Sequence, residues 1–458
     1  MYIVHVSSES APLAKVGGLG DMVAGLCRAL AEKGEEVRVF LPLYDIVSLD
    51  RFTDVTEERG AFGTARTLSR DRLHRTLLDP EDARHSFKRG TIYGEEDDRE
   101  RFITFCRAVA LYLQVKKRVV DILHIHDWMT VATVMFCKNV RKTVLTIHNM
   151  QHQGVCRADL LCEPVTGSEE KINLLKEGIV RADRITTVSP SYAEEIVRNQ
   201  GFGLEPVLRT YRSKLTGILN GIDTQRWNPL SECGVDFART DSMHKITEVK
   251  AGERRRIAEA LDMAEDRSPL FIAVTRLTQQ KGAELLVAGA RYIVERGGRY
   301  VLLGTFCDEK TEKTFCALRE EYRNSRKIRF LFRFDEALSR KLYLAADFIL
   351  IPSLFEPCGL TQMIALRYGT IPIVHAVGGL KDSIIDIDEE STPLNRRNGY
   401  TFSTPSEEAL TSCIDRALRD YAGTGEKRRT IMRNGTKHDR SWDEPAKAYL
   451  AVYGSLLS

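Results

Sequence analysis

Residues 2–31 read YIVHVSSESAPLAKVGGLGDMVAGLCRALA: an apolar run, a loop with three glycines, and a stretch with helical spacing. The run Tyr2–Val6 is not interrupted by a regular polar alternation, which is typical of a strand buried on both faces. From Asp21 to Ala31 apolar side chains recur at helical spacing, and Gly34 follows as a helix stop. A strand, a glycine loop and a helix in this order predict the start of an α/β fold.

The same succession of apolar runs and helical patterns continues along the chain. Further predicted strands are Glu36–Leu41, Ile122–Ile125, Val144–Ile147, Ile185–Val188, Leu215–Leu219, Leu270–Val274, Tyr300–Leu303, Ile328–Phe332, Phe348–Ile351 and Ile371–Val374. Because these runs are continuous, we predict two parallel sheets covered by helices. The stretch Asp223–Ser268 has few strand signals and many polar residues, so we place a linker there.

Several predicted helices have clear ends. Ser189 and Pro190 are typical of an N-cap and a first helical position, and Leu360–Tyr368 is followed by Gly369 as a stop. Residues 441–453 are amphipathic at helical period. We therefore predict an N-terminal domain over residues 1–240, a C-terminal domain over 241–440, and a final helix over 441–458.

The composition is that of an ordinary globular protein. The 458 residues include 67 Lys and Arg and 64 Asp and Glu, a net charge of +3, which gives no reason to expect binding to nucleic acid or a membrane surface. Hydrophobic residues make up 43% and charged residues 29%, so the chain can bury a core and disorder is excluded as its main state.

The cysteines and the N-terminus point to a reducing compartment. No CxxC pair occurs among the ten cysteines, and the closest pairs, Cys156 with Cys162 and Cys307 with Cys316, have no histidine at zinc-like spacing. The N-terminus lacks the basic and apolar regions of a secretory signal, and no run of about 18 apolar residues could span a bilayer. We therefore expect a cytoplasmic protein with reduced thiols.

The loop Lys15–Asp21, KVGGLGD, is the first candidate site. Glycines such as Gly17 and Gly18 allow close backbone approach to a ligand, and a helix N-terminus suits a phosphate. The alternative is a purely structural turn. A nicotinamide dinucleotide site is disfavoured, because the GxGxxG spacing is absent and the second predicted strand ends at Leu41 without an acidic residue.

Histidines end two predicted strands of the first half, at His124-Ile125-His126-Asp127-Trp128 and at Thr146-Ile147-His148-Asn149. Ligands bind at the carboxyl ends of strands in open α/β sheets, although a buried structural histidine is the alternative. His124 and His126 lie on one face of a strand, which would suit a metal ion. Because the sequence offers no third ligand, we expect no metal site.

Two loops of the second half carry charged candidates. In RLTQQKG, Arg276 and Lys281 could converge on a diphosphate, with two solvated cations as the alternative. In FEPCGLT, Glu356 follows a predicted strand and could position a sugar hydroxyl or stabilise a developing cation, with a turn or cap residue as the alternative. For Cys358 we favour a small residue in a tight turn over a reactive thiol. These loops together favour a transferase that uses a sugar nucleotide.

The motifs resemble bacterial glycogen synthase and plant starch synthase, which are retaining glucosyltransferases. The matching blocks, in the family's order over nearly the whole chain, are KVGGLGD (15–21), HDW (126–128), TIHN with QG (146–154), VSPSYAEEI (188–196), LTGILNGID with WNP (215–229), RLTQQKG (276–282), FEPCGLTQMIALRYGTIPIV (355–374), GGLKDSI (378–384) and SW with a later Tyr (441–449). The first and seventh blocks together are highly specific.

The resemblance implies a GT-B fold, in which two Rossmann-like domains face across a central cleft and the C-terminal helix crosses back to the first domain. It implies an acceptor-side N-terminal domain that carries the glycine loop, and a C-terminal domain that binds the sugar nucleotide. The implied reaction transfers glucose from ADP-glucose to the non-reducing end of an α-1,4-glucan such as glycogen, with retention. The resemblance implies no cofactor beyond this donor substrate.

Site residues carried over from the resemblance fall into two groups. Those implied to be catalytic are Glu356, His148, Lys281, Arg276 and Asp21, with Arg276 and Lys281 as the diphosphate pair and His148 beside the anomeric centre. Those implied to bind substrate are Lys15, Gly17, Gly18, Tyr93, Asn220 and the backbone of Cys358, Gly359, Leu360 and Thr361. No metal ligand is implied.

The sequence departs from the family pattern at several positions. Leu354 stands where a basic residue is usual before the FEP block, Phe306 stands where a second glycine is usual, and His375 begins a turn that is usually rich in arginine. The first domain is also shorter than usual around residues 51–90. These departures bear on donor choice, acceptor length and rate.

The sequence disfavours two rival functions. Many other retaining GT-B transferases carry a second glutamate eight positions after the first, and Ile364 occupies that position here. A catalytically silent glucan-binding protein would be favoured by loss of Lys15, Glu356 or Lys281, and all three are present.

Overall fold

The structure is a computed structural model that describes residues 1–50, 52–161 and 171–458. The chain forms two compact units. Unit 1 comprises Met1–Asp223 and Ser441–Ser458, and unit 2 comprises Thr224–Arg440. Each unit is an α/β structure built around its own sheet, as the continuous apolar runs predict. Cys162, one of the cysteines considered above, lies outside the described residues.

Unit 1 contains a nine-stranded sheet and a small two-stranded one. The strands in chain order are β1 (Tyr2–Val6), β2 (Glu36–Pro42), β3 (Val55–Gly60), β4 (Gly63–Arg70), β5 (Leu73–Asp79), β6 (Val120–His126), β7 (Val140–Ile147), β8 (Val155–Arg157), β9 (Lys171–Asn173), β10 (Arg184–Thr187) and β11 (Leu215–Gly217). The large sheet has the order β11-β10-β7-β6-β1-β2-β5-β4-β3, and β8 pairs with β9.

The sheet of unit 1 is not parallel throughout, and the sequence-based prediction is wrong on this point. β3 pairs with β4, and β4 with β5, in antiparallel register. No residue of β3 is buried, and the strand carries two consecutive glutamates, Glu57 and Glu58. Such a polar edge strand lacks the continuous apolar run that identifies a buried parallel strand.

Helices cover the sheet of unit 1. They are α1 (Gly18–Glu32), α2 (Asp98–Lys116), α3 (Ala132–Phe136), α4 (Leu174–Arg181), α5 (Pro190–Arg198) and α6 (Glu205–Thr210). The predicted N-cap of α5 is confirmed, because the Ser189 side chain accepts a hydrogen bond from the backbone N–H of Tyr192. α1 begins at Gly18, earlier than the predicted Asp21, so the glycine loop itself forms the helix start.

Unit 2 contains a six-stranded parallel sheet. Its strands are β12 (Leu270–Leu277), β13 (Arg299–Phe306), β14 (Ile328–Phe332), β15 (Phe348–Ile351), β16 (Ile371–His375) and β17 (Tyr400–Phe402), in the order β14-β13-β12-β15-β16-β17. Its helices are α7 (Pro229–Cys233), α8 (Met243–Ala260), α9 (Ala283–Glu295), α10 (Glu309–Glu321), α11 (Glu336–Ala345), α12 (Thr361–Arg367), α13 (Gly378–Ser383), α14 (Glu407–Ala422) and α15 (Glu426–Lys437).

The division between the units falls at Asp223, earlier than the predicted boundary at residue 240. The segment after it packs on helices of unit 2: the Trp227 ring contacts Tyr343, and Arg367 donates to the Trp227 carbonyl at 2.6 Å. Much of the predicted linker is the eighteen-residue helix α8. Its polar surface explains why the sequence shows few strand signals there.

The C-terminal helix α16 (Asp443–Leu457) belongs to unit 1, where it packs against α1. Trp442, just before it, lies over Gly25, where an added Cβ would come within 1.9 Å of the indole nitrogen. Tyr449 and Tyr453 are buried in the same core. Glycine at position 25 is therefore required for this close approach of the tryptophan.

Among the described residues, no helix combines the length and the apolar character needed to cross a membrane.

Candidate active site

Each sheet has a switch point where ligands of open α/β sheets bind. In unit 1 the strand order reverses at β1, which lies between β2 and β6. In unit 2 it reverses at β12, which lies between β13 and β15. The glycine loop follows β1, RLTQQKG begins with the last two residues of β12, and FEPCGLT follows β15. The topology thus places the predicted loops at the ligand edges of their sheets.

The glycine loop of unit 1 is held by Glu9. Its buried carboxylate accepts the backbone N–H groups of Val16 at 2.6 Å and Gly17 at 2.9 Å. These two N–H groups precede α1, which begins at Gly18, and Glu9 already satisfies them. Space beside Gly17 remains open, since an added Cβ would meet nothing within 4 Å.

Side chains predicted to bind substrate join the same loop. The Lys15 ammonium pairs with the Asp21 carboxylate at 2.7 Å, and both side chains are partly exposed. The Tyr93 hydroxyl donates to the second oxygen of Glu9 at 2.7 Å and lies 2.8 Å from the Ser8 hydroxyl. Glu9 is therefore a functional candidate that sequence reasoning missed. Nothing in the local pattern SSES distinguishes it from a surface turn.

His148 is positioned by Asp127 at the ends of β6 and β7. The buried Asp127 carboxylate accepts the backbone N–H of His148 at 2.7 Å. Asp127 has a positive φ of 53°, a conformation that a non-glycine residue keeps only when its surroundings hold it there. Burial raises the pKa of Asp127 to about 7. The motif HDW thus serves to fix the backbone that presents His148.

The histidines of unit 1 form a buried row that the sequence only partly predicted. His5, which lies beside His124 across the β1–β6 pair, was missed, although two adjacent strands with histidines could have signalled it. Nitrogens of His5, His124 and His126 come within 4.8 Å of one another, which is close enough for a shared metal ion. However, both nitrogens of His124 and both of His126 already have hydrogen-bond partners. The arrangement therefore fits a hydrogen-bonded row of rings better than a metal centre.

Asn220 lies after β11 and is buried. Its side-chain oxygen has no hydrogen-bond partner among the described residues. A buried acceptor without a partner is costly, so this oxygen is suited to receive a hydrogen bond from a ligand.

In unit 2, Lys281 and Glu356, which the sequence analysis treated separately, lie in contact. The Lys281 ammonium contacts the Glu356 carboxylate at 2.5 Å, and the same oxygen accepts the Ser353 hydroxyl at 2.9 Å. The exposed fractions of the Lys281 and Glu356 side chains are 18% and 8%. The pair is therefore shielded from bulk water, and charge interactions are stronger in such surroundings.

Arg276 lies at the end of β12 with an exposed side chain. Within the described ranges, its guanidinium makes no ion pair or hydrogen bond. It is therefore available to an anionic ligand, unlike Lys281, which is neutralised by Glu356.

The segment Cys358–Thr361 makes a tight turn into α12. Gly359 has a positive φ of 72°, and the Gln362 amide donates to the carbonyls of Cys358 at 3.1 Å and Gly359 at 2.8 Å. Gly379 approaches so closely that an added Cβ would come within 2.1 Å of the Cys358 carbonyl oxygen. This packing supports the interpretation of Cys358 as a small buried turn residue.

Two of the three residues that depart from the family pattern have contacts that explain their presence. His375 is buried, and its ring contacts the carbonyls of Ser353 at 2.7 Å and Ser403 at 3.3 Å, so it braces the turn that carries Glu356. The Phe306 ring packs against Phe332 at 4.5 Å. The Leu354 side chain is exposed, and the structure gives no account of it.

Comparison with known proteins agrees with these two units. The sequence model of the starch synthase catalytic domain matches residues 2–210, and that of the group 1 glycosyl transferases matches residues 258–438. The chain is 37% identical to glycogen synthase of Protochlamydia amoebophila and 36% identical to that of Streptococcus mutans. These alignments cover 100% of this chain and 99% and 100% of the relatives.

A solved structure extends the similarity to three dimensions. The catalytic domain of starch synthase IV from Arabidopsis thaliana, bound to ADP and acarbose, is 35% identical, with a TM-score of 0.89. The alignment covers 100% of this chain and 99% of that one. The predicted GT-B class, with two Rossmann-like units, is therefore confirmed. The chain is a glycosyltransferase and belongs to the family of bacterial glycogen synthases and starch synthases.

Proposed function

We propose that the protein is a glycogen synthase that transfers glucose from ADP-glucose to the non-reducing end of an α-1,4-glucan, with retention of configuration. Similarity over the full length to glycogen synthases supports the reaction. The ADP and acarbose in the related starch synthase structure support an adenine nucleotide donor and a glucan acceptor. We also propose that the enzyme works in the cytoplasm.

The observation that carries the proposal is the Lys281–Glu356 pair at the switch point of unit 2. A cation there can offset charge on the departing diphosphate, and a carboxylate can position the sugar and stabilise a developing positive charge. Arg276, whose guanidinium has no partner in the described chain, supplies a second cation for the diphosphate. We therefore propose that unit 2 binds the diphosphate of the sugar nucleotide.

The proposed acceptor side is unit 1. The Lys15–Asp21 pair, Tyr93 and the open edge at Gly17 would line the sugar, with His148 beside the anomeric carbon and the Asn220 side-chain oxygen accepting a hydrogen bond.

In unit 2, the backbone from Cys358 to Thr361 would hold the distal phosphate.

The proposed chemistry balances without a cofactor. The bond between the anomeric carbon and the phosphate oxygen breaks, and a new bond to the acceptor oxygen forms on the same face. The acceptor proton passes to the departing phosphate. Positioning of the reactants and stabilisation of charge in the transition state then account for most of the rate enhancement.

The test is release of nucleoside diphosphate from ADP-glucose and from UDP-glucose, each with and without glycogen. We expect release from ADP-glucose that depends on glycogen. In Glu356→Ala it should fall by a factor on the order of 10³, because a preorganised charge at the reacting centre is lost. Glu390→Ala, at an exposed position of unit 2, is the matched control and should keep full activity.

Other outcomes would revise the proposal in distinct ways. Release from UDP-glucose alone would keep the reaction and overturn the ADP assignment. Release that does not depend on glycogen would overturn the acceptor. No release with either donor, from folded protein, would contradict the synthase function.

A further inference from the structure

Three buried histidines form a hydrogen-bonded chain that ends at the proposed active site. Nδ1 of His5 lies 3.0 Å from Nε2 of His126, and Nδ1 of His126 lies 3.1 Å from Nε2 of His148. β1, β6 and the end of β7 supply the three rings, which therefore come from different segments of the sequence. His124 stacks on His126 but uses its own partners, Tyr453 and Thr146.

The two ends of the chain differ. Nε2 of His5 is buried and has no hydrogen-bond partner within the described residues. His148 retains 9% exposure, and its Nδ1 makes no hydrogen bond to any described residue. The inner end is therefore closed to water, whereas the outer end is free to meet a ligand.

All three rings are neutral near pH 7, because burial lowers the pKa of His5 and of His148 to about 3 and that of His126 well below its usual value. A neutral imidazole has one N–H and one lone pair. Each contact between two rings needs one donor and one acceptor, so the orientation of one ring fixes the others. Only two arrangements of the protons satisfy both contacts.

The two arrangements leave different groups at the buried end. If the N–H groups point inward, His5 carries a buried Nε2–H that has no acceptor. If they point outward, His5 presents only an unpaired lone pair there. Orphaned buried N–H groups are rarer in native proteins than under-satisfied acceptors. The outward arrangement is therefore favoured, and in it His148 carries its proton on Nδ1.

We propose that His5 and His126 are positioning residues that hold His148 as the Nδ1–H tautomer, so that His148 donates a hydrogen bond to a hydroxyl oxygen of the donor sugar. The inference deepens the proposed glucosyl transfer and rests on it. A neutral donor orients the sugar without repelling the positive charge that develops at the anomeric carbon. An imidazolium at this place would oppose that charge.

The primary test reads the tautomer directly in the resting protein. Histidine labelled with ¹⁵N in the ring distinguishes protonated from unprotonated nitrogens by NMR, and the His148 signals are assigned by their loss in His148→Gln. We expect Nδ1 of His148 to be protonated and Nε2 unprotonated. A proton on Nε2, or on both nitrogens, would overturn the proposal. This measurement needs no substrate, so its result is separate from the fate of the proposed function.

A pair of variants tests the consequence for activity. His126→Asn keeps an amide N–H near the place of the ring Nδ1, whereas His126→Leu cannot donate to His148. With ADP-glucose and glycogen, we expect the leucine variant to lose about tenfold in kcat with little change in KM, and the asparagine variant to regain part of that loss.

His244→Asn, at an exposed position of α8, controls for the replacement of a histidine. Equal kcat in both His126 variants, with unequal thermal stability, would indicate a merely structural role and contradict the proposal. If neither variant folds, the tautomer measured in the unsubstituted protein still decides the question.

Discussion

The two units organise the ligand edges of their sheets with different chemistry. Unit 1 buries a row of neutral histidines behind its strand ends, and hydrogen bonds fix the direction of each ring. Unit 2 places the ion pair of Lys281 and Glu356 at the corresponding edge. Neutral groups orient a sugar without adding charge, whereas charges respond to a departing diphosphate. The comparison shows that neutral side chains line the strand ends of unit 1, whereas an ion pair lies at those of unit 2.

A fall in pH should produce the largest difference in stability between the two units. Burial lowers the pKa of His5, His124, His126 and His148 below that of an exposed histidine. The unfolded chain therefore binds more protons below pH 6.5, and the stability of unit 1 falls as the pH falls. At pH 5, the lowered pKa of His5 reduces the free energy of unfolding by about 2 kcal/mol, and that of His148 reduces it by about the same amount.

One group opposes this effect. Because burial raises the pKa of Asp127 to about 7, its protonation in the folded state contributes roughly 2–3 kcal/mol of stability at pH 5. His5 and His148 together lose about 4 kcal/mol, which exceeds the gain from Asp127, and the lowered pKa values of His124 and His126 add to the loss. We therefore expect unit 1 to lose stability net between pH 7.5 and pH 5.

Tryptophan fluorescence during urea unfolding can follow each unit alone. Trp227→Phe leaves Trp128 and Trp442, both in unit 1, and replacement of those two leaves Trp227 in unit 2. Equal acid sensitivity of the two signals would count against the histidine row as the cause.

Lys250→Met should weaken unit 2 and leave unit 1 unchanged. The buried Lys250 ammonium lies within hydrogen-bond distance of three carbonyl oxygens at the ends of α11 and α12 and of the Thr370 hydroxyl, at 2.9 Å, and its three N–H groups are shared among them. Loss of this shared donor leaves buried acceptors under-satisfied, which should cost about 2–3 kcal/mol. Lys245→Met, exposed on the same helix, is the control. A stability of unit 2 equal to that of the control would mean that the ammonium is not needed there.

Gly25→Ala should lower the stability of unit 1, because it disturbs the packing of Trp442 just before the C-terminal helix. The new methyl group would overlap the Trp442 indole, and such overpacking costs roughly 2 kcal/mol. Gly454→Ala, on α16 where an added Cβ meets nothing within 4 Å, should instead gain about 0.5–1 kcal/mol. The free energy of unfolding from the unit 1 tryptophans measures both variants. Equal effects of the two would contradict the close packing at Gly25.

Ser353→Ala should have the smallest effect, because it removes one hydrogen bond from Glu356 and leaves Lys281 in contact with it. We expect kcat to fall about fivefold, which corresponds to roughly 1 kcal/mol, with KM for ADP-glucose nearly unchanged. Urea unfolding of unit 2 serves as the control for stability. An altered KM with an unchanged kcat would place Ser353 in ground-state binding instead.

Parts of the fold with strong local signals were predictable. The strands Ile328–Phe332 and Phe348–Ile351 were predicted with the bounds that the structure has, because they are short apolar runs with clear ends. The hairpin of β3 and β4 was missed, because β3 is polar and unburied and β4 has no continuous apolar run. The loops that carry Lys281 and Glu356 were singled out from the sequence, but the contact between the two side chains was not predicted.

The sequence by itself determined which segments are strands and helices and which loops carry charged residues, because apolar period and loop composition are local properties. Only the tertiary structure decided which polar groups satisfy one another. The Glu9 carboxylate takes the N–H groups of Val16 and Gly17, and His5 meets His126 across 121 residues of sequence. Such pairings depend on strand order and register, which juxtapose side chains that no short pattern relates.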